Sequence, residues 1–305
     1  MGSKVKIWIR EIRAPFFTGT IVPIVLGTIV AYNQTGSISW FYFALTLIGG
    51  LALHAGANVS NDYFDHLSDD DEINNEFAAP FTGGSRVIQD GLLTPREVLI
   101  GSIVSYLIAA IVGGYLFIKL GPVILILGVI GAVSGFFYTA PPFYFVSRGI
   151  GEVIIALNFG VLMTFGAFFV QAHVFAWEPI IASLPVAFLI AAVLYINEFQ
   201  DYSADREVGK NHLVVRMGKE KASRGYMIIM MLTYLSLVLG VVTDVLPPFA
   251  LAGLLTLPLA FRAVRVTFQH FNDSPELVPA NVSTIMNHLF TGLLISIGYV
   301  LDKFI

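Results

Sequence analysis

The sequence predicts an all-α integral-membrane protein of about nine transmembrane helices. They would form a bundle with a parallel internal repeat around a central cavity open to the cytoplasmic side. Three observations carry this prediction. Of 305 residues, 56% are hydrophobic and 12% charged, with a mean hydropathy of +0.78, whereas a soluble domain carries about 25% charged residues. Apolar runs of about 18–20 residues recur along the whole length, as spanning helices require. A dense acidic pattern occurs twice, each time at the end of such a run.

The spans, in order, cover 15–33, 40–60, 97–118, 121–138, 149–170, 178–197, 224–243, 246–266 and 284–301. The first follows a basic stretch, as a signal peptide would, but it is long and has no convincing small-residue cleavage site, so it reads as a retained helix. The third and fourth are parted only by Lys119-Leu120-Gly121-Pro122, and the seventh and eighth by Asp244 and Pro247-Pro248. The polar stretch 267–283 is expected to be a loop over the site. No Pro/Gly/Ser-rich linker divides the chain, so residues 1–305 are read as one domain. Cysteine is absent, which excludes disulfides and thiolate chemistry.

A cytoplasmic N-terminus puts 15 of the 17 basic residues on or near one face, all but Lys119 and Lys303. That bias supports both the span count and a cell-membrane, multi-pass orientation with the acidic loops cytoplasmic.

The first acidic stretch, NVSNDYFDHLSDDDEINNE, carries seven carboxylates between Asp62 and Glu76; the second, NEFQDYSADREVGK, follows the sixth span. Aligned, Asn61-Asp62-Tyr63-Phe64-Asp65-x-x-x-Asp69 matches Asn197-Glu198-Phe199-Gln200-Asp201-x-x-x-Asp205 at an offset of 136 residues (197 − 61). Spacings of i, i+4 and i+8 line one helix face. Asn61, Asp65 and Asp69 would form one ladder, and Asn197, Asp201 and Asp205 the other. Facing carboxylates repel unless cations bridge them. Mg²⁺, held by a few carboxylates plus substrate phosphates, suits such a site. The interleaved Arg86, Arg206 and Lys210 suit an anionic ligand rather than a metal alone. Asp70, Asp71, Glu72 and Glu76 read as a solvated rim, although the paired acid is open between Asp69 and Asp71.

At these residues the chain resembles the UbiA superfamily of intramembrane prenyltransferases, which carry N-D-x-x-D-x-x-x-D after the second helix and D-x-x-x-D after the sixth. The resemblance covers nearly the whole chain. Pro80-Phe81-Thr82-Gly83-Gly84-Ser85-Arg86, Asp205-Arg206-Glu207-x-Gly209-Lys210 and Tyr138-Thr139-Ala140-Pro141-Pro142 look like the menaquinone-pathway branch, which prenylates 1,4-dihydroxy-2-naphthoate. The resemblance implies Mg²⁺-dependent transfer of a prenyl group from an isoprenoid diphosphate to an aromatic acceptor. It implies Asn61, Asp65, Asp201 and Asp205 as holders of Mg²⁺–diphosphate, with two ions bridging it, and Asp62 and Asp69 in support. Loss of the naphthoate carboxylate would accompany transfer in this branch. Other acceptors, 4-hydroxybenzoate or geranylgeranylglyceryl phosphate, stay open.

The remaining candidates each have two readings. Gly83-Gly84-Ser85-Arg86 is a phosphate-binding backbone nest or a flexible turn. Tyr138 faces the first isoprene unit, as in the family, or is an interfacial aromatic. Asn58 supports the ladder. Arg13 and Arg148 are substrate contacts or charge anchors. His54 lies on the ladder's face, as a pocket group or a packing histidine; Glu152 is unassigned. An ion-coupled transporter is the rival class, but its sites tend to lie near the bilayer midplane. The lipid bilayer is the expected environment, and the sequence calls for neither nucleic acid nor an obligatory protein partner.

Overall fold

The computed structural model describes residues 2–305. Every regular element among them is helical. In chain order these are α1 (Gly2–Glu11), α2 (Thr18–Thr35), α3 (Trp40–Leu67), α4 (Asp70–Ile73), α5 (Pro95–Leu120), α6 (Pro122–Phe136), α7 (Gly151–Ile155), α8 (Met163–Ala172), α9 (Glu178–Glu207), α10 (Leu213–Met217), α11 (Lys219–Val242), α12 (Leu257–His270) and α13 (Ser274–Phe304).

Among the described residues, eight helical stretches are long and apolar enough to cross a bilayer. The fourth expected span is shorter: α6 has 15 residues, about 22 Å of helix, against a hydrocarbon core of about 30 Å. Gly121 and Pro122 end α5 and start α6, and Phe137 closes α6. The fifth span is one stack of α7, a π-helical segment (Ala156–Leu162) and α8. The eighth opens with a 3₁₀ segment, Pro248–Thr256.

The expected loop over 267–283 is mostly helix. Asp273 caps α13 by accepting from the Glu276 amide, with proline in the first turn, a strong start signal. The first turns of α13 then lock onto α9. Gln200 Nε2 donates to the Ser274 carbonyl at 2.9 Å, and Asn281 Nδ2 donates to Asn197 Oδ1 at 2.8 Å and Gln200 Oε1 at 3.0 Å.

Helix α9 is the most buried span. Its Leu189, Ala192, Tyr195, Ile196 and Phe199 pack against Tyr226 and Met230 of α11 and Leu277 and Ala280 of α13. Val22, Leu26 and Val30 of α2 meet Phe168, Val186 and Ile295. Lipid tails give no hydrophobic drive between helices, so close approach must do the work. Gly27 lies against the Thr164 backbone and Gly298 against the Phe249 carbonyl, where any side chain would collide.

The bilayer can be located by its markers. Trp40 and Trp177, at the starts of α3 and α9, are both strongly exposed, as interfacial tryptophans are. Ile111, Ile118 and Val129 face outward on α5 and α6. Helix α3 has 28 residues, about 42 Å, so it overshoots the hydrocarbon by more than two turns. Its far end carries the acid, which therefore stands clear of the hydrocarbon.

Candidate active site

The two acidic segments meet. Asn61 and Asp65 share a face of α3, and Asn61 Nδ2 donates to Asp65 Oδ2 at 2.9 Å. The ladder stops there, because α3 ends at Leu67. Asp69 adopts a left-handed φ of 59° and is exposed, so the i+8 placement expected of it is corrected. The same turn redirects the chain into α4 and swings Asp70 and Asp71 inward. Both are buried, so neither belongs to a solvated rim; Glu72 and Glu76 do stay exposed. Oxygens of Asp65, Asp70 and Asp71 lie within 4.8 Å of one another.

From the other side, α9 brings Asp201 and Asp205. Asn74, just after α4, donates to Asp201 Oδ1 at 2.7 Å. The chain after α9 turns at Gly209 and returns Lys210 to the centre. Its ammonium lies 2.7 Å from Asp65 Oδ1 and 3.7 Å from Asp205 Oδ1, and it pairs with Asp70. Burial would lower the Lys210 pKa, but Asp65, Asp205 and Asp70 hold it well above the usual lysine range. Burial pushes Asp70 up to about 8, against the pull of Lys210 and with help from Asp205 and Asp65. Burial, then Asp65 and Asp62, raise Asp71 well above the carboxylate range. The cluster is therefore short of positive charge.

The site's fit to a metal can be judged from its donors. Asp70 Oδ1 and Asp71 Oδ2 are buried and have no hydrogen-bond partner among the described residues. The donors are carboxylate and amide oxygens, the set that hard divalent cations take. Asn61, Asp65, Asp70 and Asp71, with Asp201 and Asp205 opposite, fit Mg²⁺.

Asp62 points elsewhere. It pairs with Arg13 and accepts from the Ser85 amide at 2.9 Å. Ser85 Oγ donates to buried Glu11 at 2.5 Å. Burial, then Asp62, lift Glu11 to about 8. Arg13 is raised despite its burial, by Asp62 and then Asp71. Asn58 Nδ2 donates to the Ile12 carbonyl at 3.1 Å. These groups stitch α1 and its exit turn to α3. The glycine-rich turn wraps the protein's own acid: a side chain at Gly84 (φ 71°) would strike the Asp71 carboxylate. Arg86 donates to the Asp71 carbonyl at 2.9 Å and lies 4.3 Å over the Phe77 ring.

Other candidates lie farther out. Arg206 and Arg148 are exposed, and Arg148 donates to the carbonyls of Phe143 and Pro142, closing its own loop. Asn197 accepts from Asn281. His54 is buried, bonds Thr20 at 2.8 Å and packs on Phe159 at 4.5 Å. Tyr138 has a buried hydroxyl with no partner among the described residues, and burial, then Glu198 and Glu152, raise it well above the usual tyrosine range.

Beside the carboxylates an apolar cavity of about 770 Å³ runs between α3, α5, α6 and α8. It begins at His54 and Ala57, one turn before Asn61, and reaches Leu116 and Val170 near the opposite end. Leu45, Leu53, Ile103 and Phe159 help line it, with glycines on α3, α5 and α6.

Sequence reasoning missed Glu11, Asn74 and the packing of His212 against Asp205 (2.9 Å). Glu11 and Asn74 had no pattern to mark them. For His212 a weak signal existed, since it stands two residues after Lys210.

Comparison with known proteins places the chain in a family. The model of the UbiA prenyltransferase family matches residues 20–285. The chain is 29% identical to 2-carboxy-1,4-naphthoquinone phytyltransferase of Synechocystis sp., covering 96% of this chain and 93% of that one. It is 26% identical to 1,4-dihydroxy-2-naphthoate octaprenyltransferase of Bacillus subtilis, with 96% and 91% covered. A UbiA homologue from Archaeoglobus fulgidus, solved with DMAPP and Mg²⁺, superposes at TM-score 0.63 with 18% identity, over 95% of this chain and 99% of that one. The apo UbiA homologue of Aeropyrum pernix superposes at 0.67 with 14% identity, over 95% and 98%. Both superpositions speak for the fold.

Proposed function

The chain belongs to the UbiA prenyltransferase family, and from that premise we propose that it transfers a prenyl group from an isoprenoid diphosphate to 1,4-dihydroxy-2-naphthoate, at the cytoplasmic face of the cell membrane. The enzyme class is a membrane prenyltransferase, as its relatives are named. One observation carries the finer reading: carboxylates of both acidic segments gather around Lys210, and an apolar cavity begins at Ala57, one helical turn before Asn61. That layout matches a substrate charged at one end and greasy along the rest.

Asn61, Asp65, Asp70 and Asp71 would hold one Mg²⁺, and Asp201 and Asp205 a second. When bound, Mg²⁺ neutralises charge on the departing diphosphate. Lys210 is placed to meet the same phosphate oxygens, and its raised pKa keeps it cationic. Arg86 and Arg206 stand at the rim as further anion partners. The tail lies in the cavity from Ala57 onward, away from water. The C1–O bond breaks with its electrons leaving on diphosphate. An electron-rich ring carbon of the acceptor then bonds C1, and that carbon loses its carboxyl group as CO₂ or, in other acceptors, a proton. The Tyr138 ring, next in sequence to Phe137 of the cavity lining, would face the developing allylic cation.

The acceptor rests on two naphthoate-acting relatives at 26–29% identity. The cytoplasmic orientation rests on the charge bias of the loops. The test is incubation of the purified protein with geranylgeranyl diphosphate and a panel of dihydroxynaphthoate, 4-hydroxybenzoate, homogentisate and geranylgeranylglyceryl phosphate, with and without EDTA. Prenylated naphthoquinol that disappears with EDTA supports the proposal. A different preferred acceptor overturns the naphthoate assignment. No product and no released diphosphate with any acceptor overturns the whole reading.

A further inference from the structure

We propose that Glu152, Glu198 and His212 form a second, separate divalent-cation site, suited to a borderline ion such as Zn²⁺ or Mn²⁺ and placed behind the diphosphate site. The three come from distant elements. Glu152 is the second residue of α7, Glu198 lies one turn before Asp201 on α9, and His212 caps α10. Their ligand atoms lie within 4.8 Å of one another, and their exposures are 3%, 5% and 1%.

The donor atoms point inward without partners. Glu198 Oε1 and Oε2 and Glu152 Oε2 have no hydrogen-bond partner among the described residues. Glu152 Oε1 accepts from the Leu213 amide at 2.9 Å, which fixes the carboxylate's direction. No lysine or arginine among the described residues lies within 4.0 Å of either glutamate. Lys210 is already committed to Asp65, Asp70 and Asp205. Two buried carboxylates thus stand together with no lysine or arginine to balance them, and an isolated buried charge is costly.

The histidine gives the independent pointer. His212 Nε2 lies 2.9 Å from Asp205 Oδ2, and with that carboxylate as the acceptor the ring proton is assigned to Nε2. Nδ1 receives the Val215 amide at 3.4 Å, so it is bare. That bare nitrogen faces Glu198 Oε2 at 3.4 Å, one acceptor against another. A ligand histidine characteristically donates its other N–H to a carboxylate, which is the arrangement seen here. A dication between Nδ1 and the two glutamates balances the charge of −2 and gives each orphan oxygen a partner. One imidazole with two carboxylates suits Zn²⁺ or Mn²⁺ better than the all-oxygen set of the first site.

Such an ion would clamp the segment after α9 to α7. Lys210 sits two residues before His212, so the clamp would hold its ammonium over the carboxylates. Glu152, Glu198 and His212 thereby act as positioning residues.

The test uses full-length protein in detergent, first as wild type and then with Asp65→Asn and Asp201→Asn to disable the diphosphate site. Each is loaded with Zn²⁺ or Mn²⁺, dialysed, and its metal content measured by mass spectrometry. About one equivalent per chain should remain in both backgrounds, as for a site whose ligands are preformed. Glu152→Gln and Glu198→Gln should each weaken retention at least tenfold, since loss of even an outer-shell partner costs about 10- to 100-fold in metal affinity. Thermal unfolding should shift upward with Zn²⁺ in wild type and not in Glu198→Gln. Absence of retained metal and of any thermal shift in wild type overturns the proposal, whatever the variants do; the carboxyls then share a proton. Retention unchanged in both glutamine variants overturns it too. Metal retention without prenyl transfer would overturn only the function proposed above.

Discussion

Lys210 Nζ lies 2.7 Å from Asp65 Oδ1, joining the loop after α9 to the end of α3. The same ammonium serves Asp70 and Asp205. In this arrangement a cation of the protein's own stands among acids that would hold Mg²⁺. Removing one partner from a buried ionic cluster leaves uncompensated charge, and here Mg²⁺ can fill the deficit. Lys210→Met is therefore expected to raise KM for the isoprenoid diphosphate at least tenfold while lowering the Mg²⁺ concentration for half-maximal activity. A Mg²⁺ titration of both proteins decides it. If both constants rise together, Lys210 does not compete with the metal.

Asp69 and Asp71 separate the linear motif from the folded one. Asp69 is exposed and lies outside the regular helix, whereas Asp71 is buried beside Asp65 and carries an unpartnered oxygen. Asp69→Asn should leave kcat/KM within about twofold, and Asp71→Asn should lower it by 10² or more, the scale of losing an electrostatic group at a reacting centre. A severe loss in Asp69→Asn with a mild one in Asp71→Asn would restore the simple ladder.

How far the sequence could be read follows from the range of each signal. Spans are visible because about 20 apolar residues in a row match the thickness of a bilayer, and the repeat because Asn61, Asp65 and Asp69 recur as Asn197, Asp201 and Asp205 at the same helical spacing. Asp69 departs from the pattern because that spacing holds only while the helix continues, and a left-handed residue just beyond Leu67 breaks it. The 267–283 stretch misleads because its polar residues satisfy one another across helices, with Asn281 reaching both Asn197 and Gln200. Glu152, Glu198 and His212 have no linear spacing to betray them. Their relation exists only after α7, α9 and α10 pack.

Glu11 gives a pH-dependent prediction outside the membrane. Its folded pKa is raised from 4.5 to about 8, chiefly by burial and then by Asp62. Below about pH 4.5 both states are protonated; between 4.5 and 8 the unfolded chain ionises while the folded one keeps its proton. The folded state then binds more protons, so stability falls as pH rises through that window and levels off above it. Glu11→Gln should remove this part of the slope. Thermal unfolding across about pH 5 to 8 should show the wild-type curve descending relative to the variant; parallel curves would refute the assignment.

The glycines of the apolar cavity give the last prediction. A glycine inside a helix costs about 1 kcal/mol relative to alanine, so an unforced one needs a reason. At Gly113, Gly114 and Gly128 an added Cβ would meet nothing within 4 Å, and all three line the cavity. Helix packing does not require them, but an open path for a long tail does. Gly113 lies well along α5 from the carboxylate end, beyond the reach of a short donor. Gly113→Leu should therefore fold at least as well as wild type and keep kcat/KM for geranyl diphosphate within about threefold. It should lower kcat/KM for octaprenyl diphosphate at least tenfold, because the added side chain occupies space only the longer tail uses. Competition between the two donors, with product chain length read by mass spectrometry, measures the ratio directly. Equal loss for both donors would mean that the tail takes another route, and an unchanged ratio that it never reaches α5 at that depth.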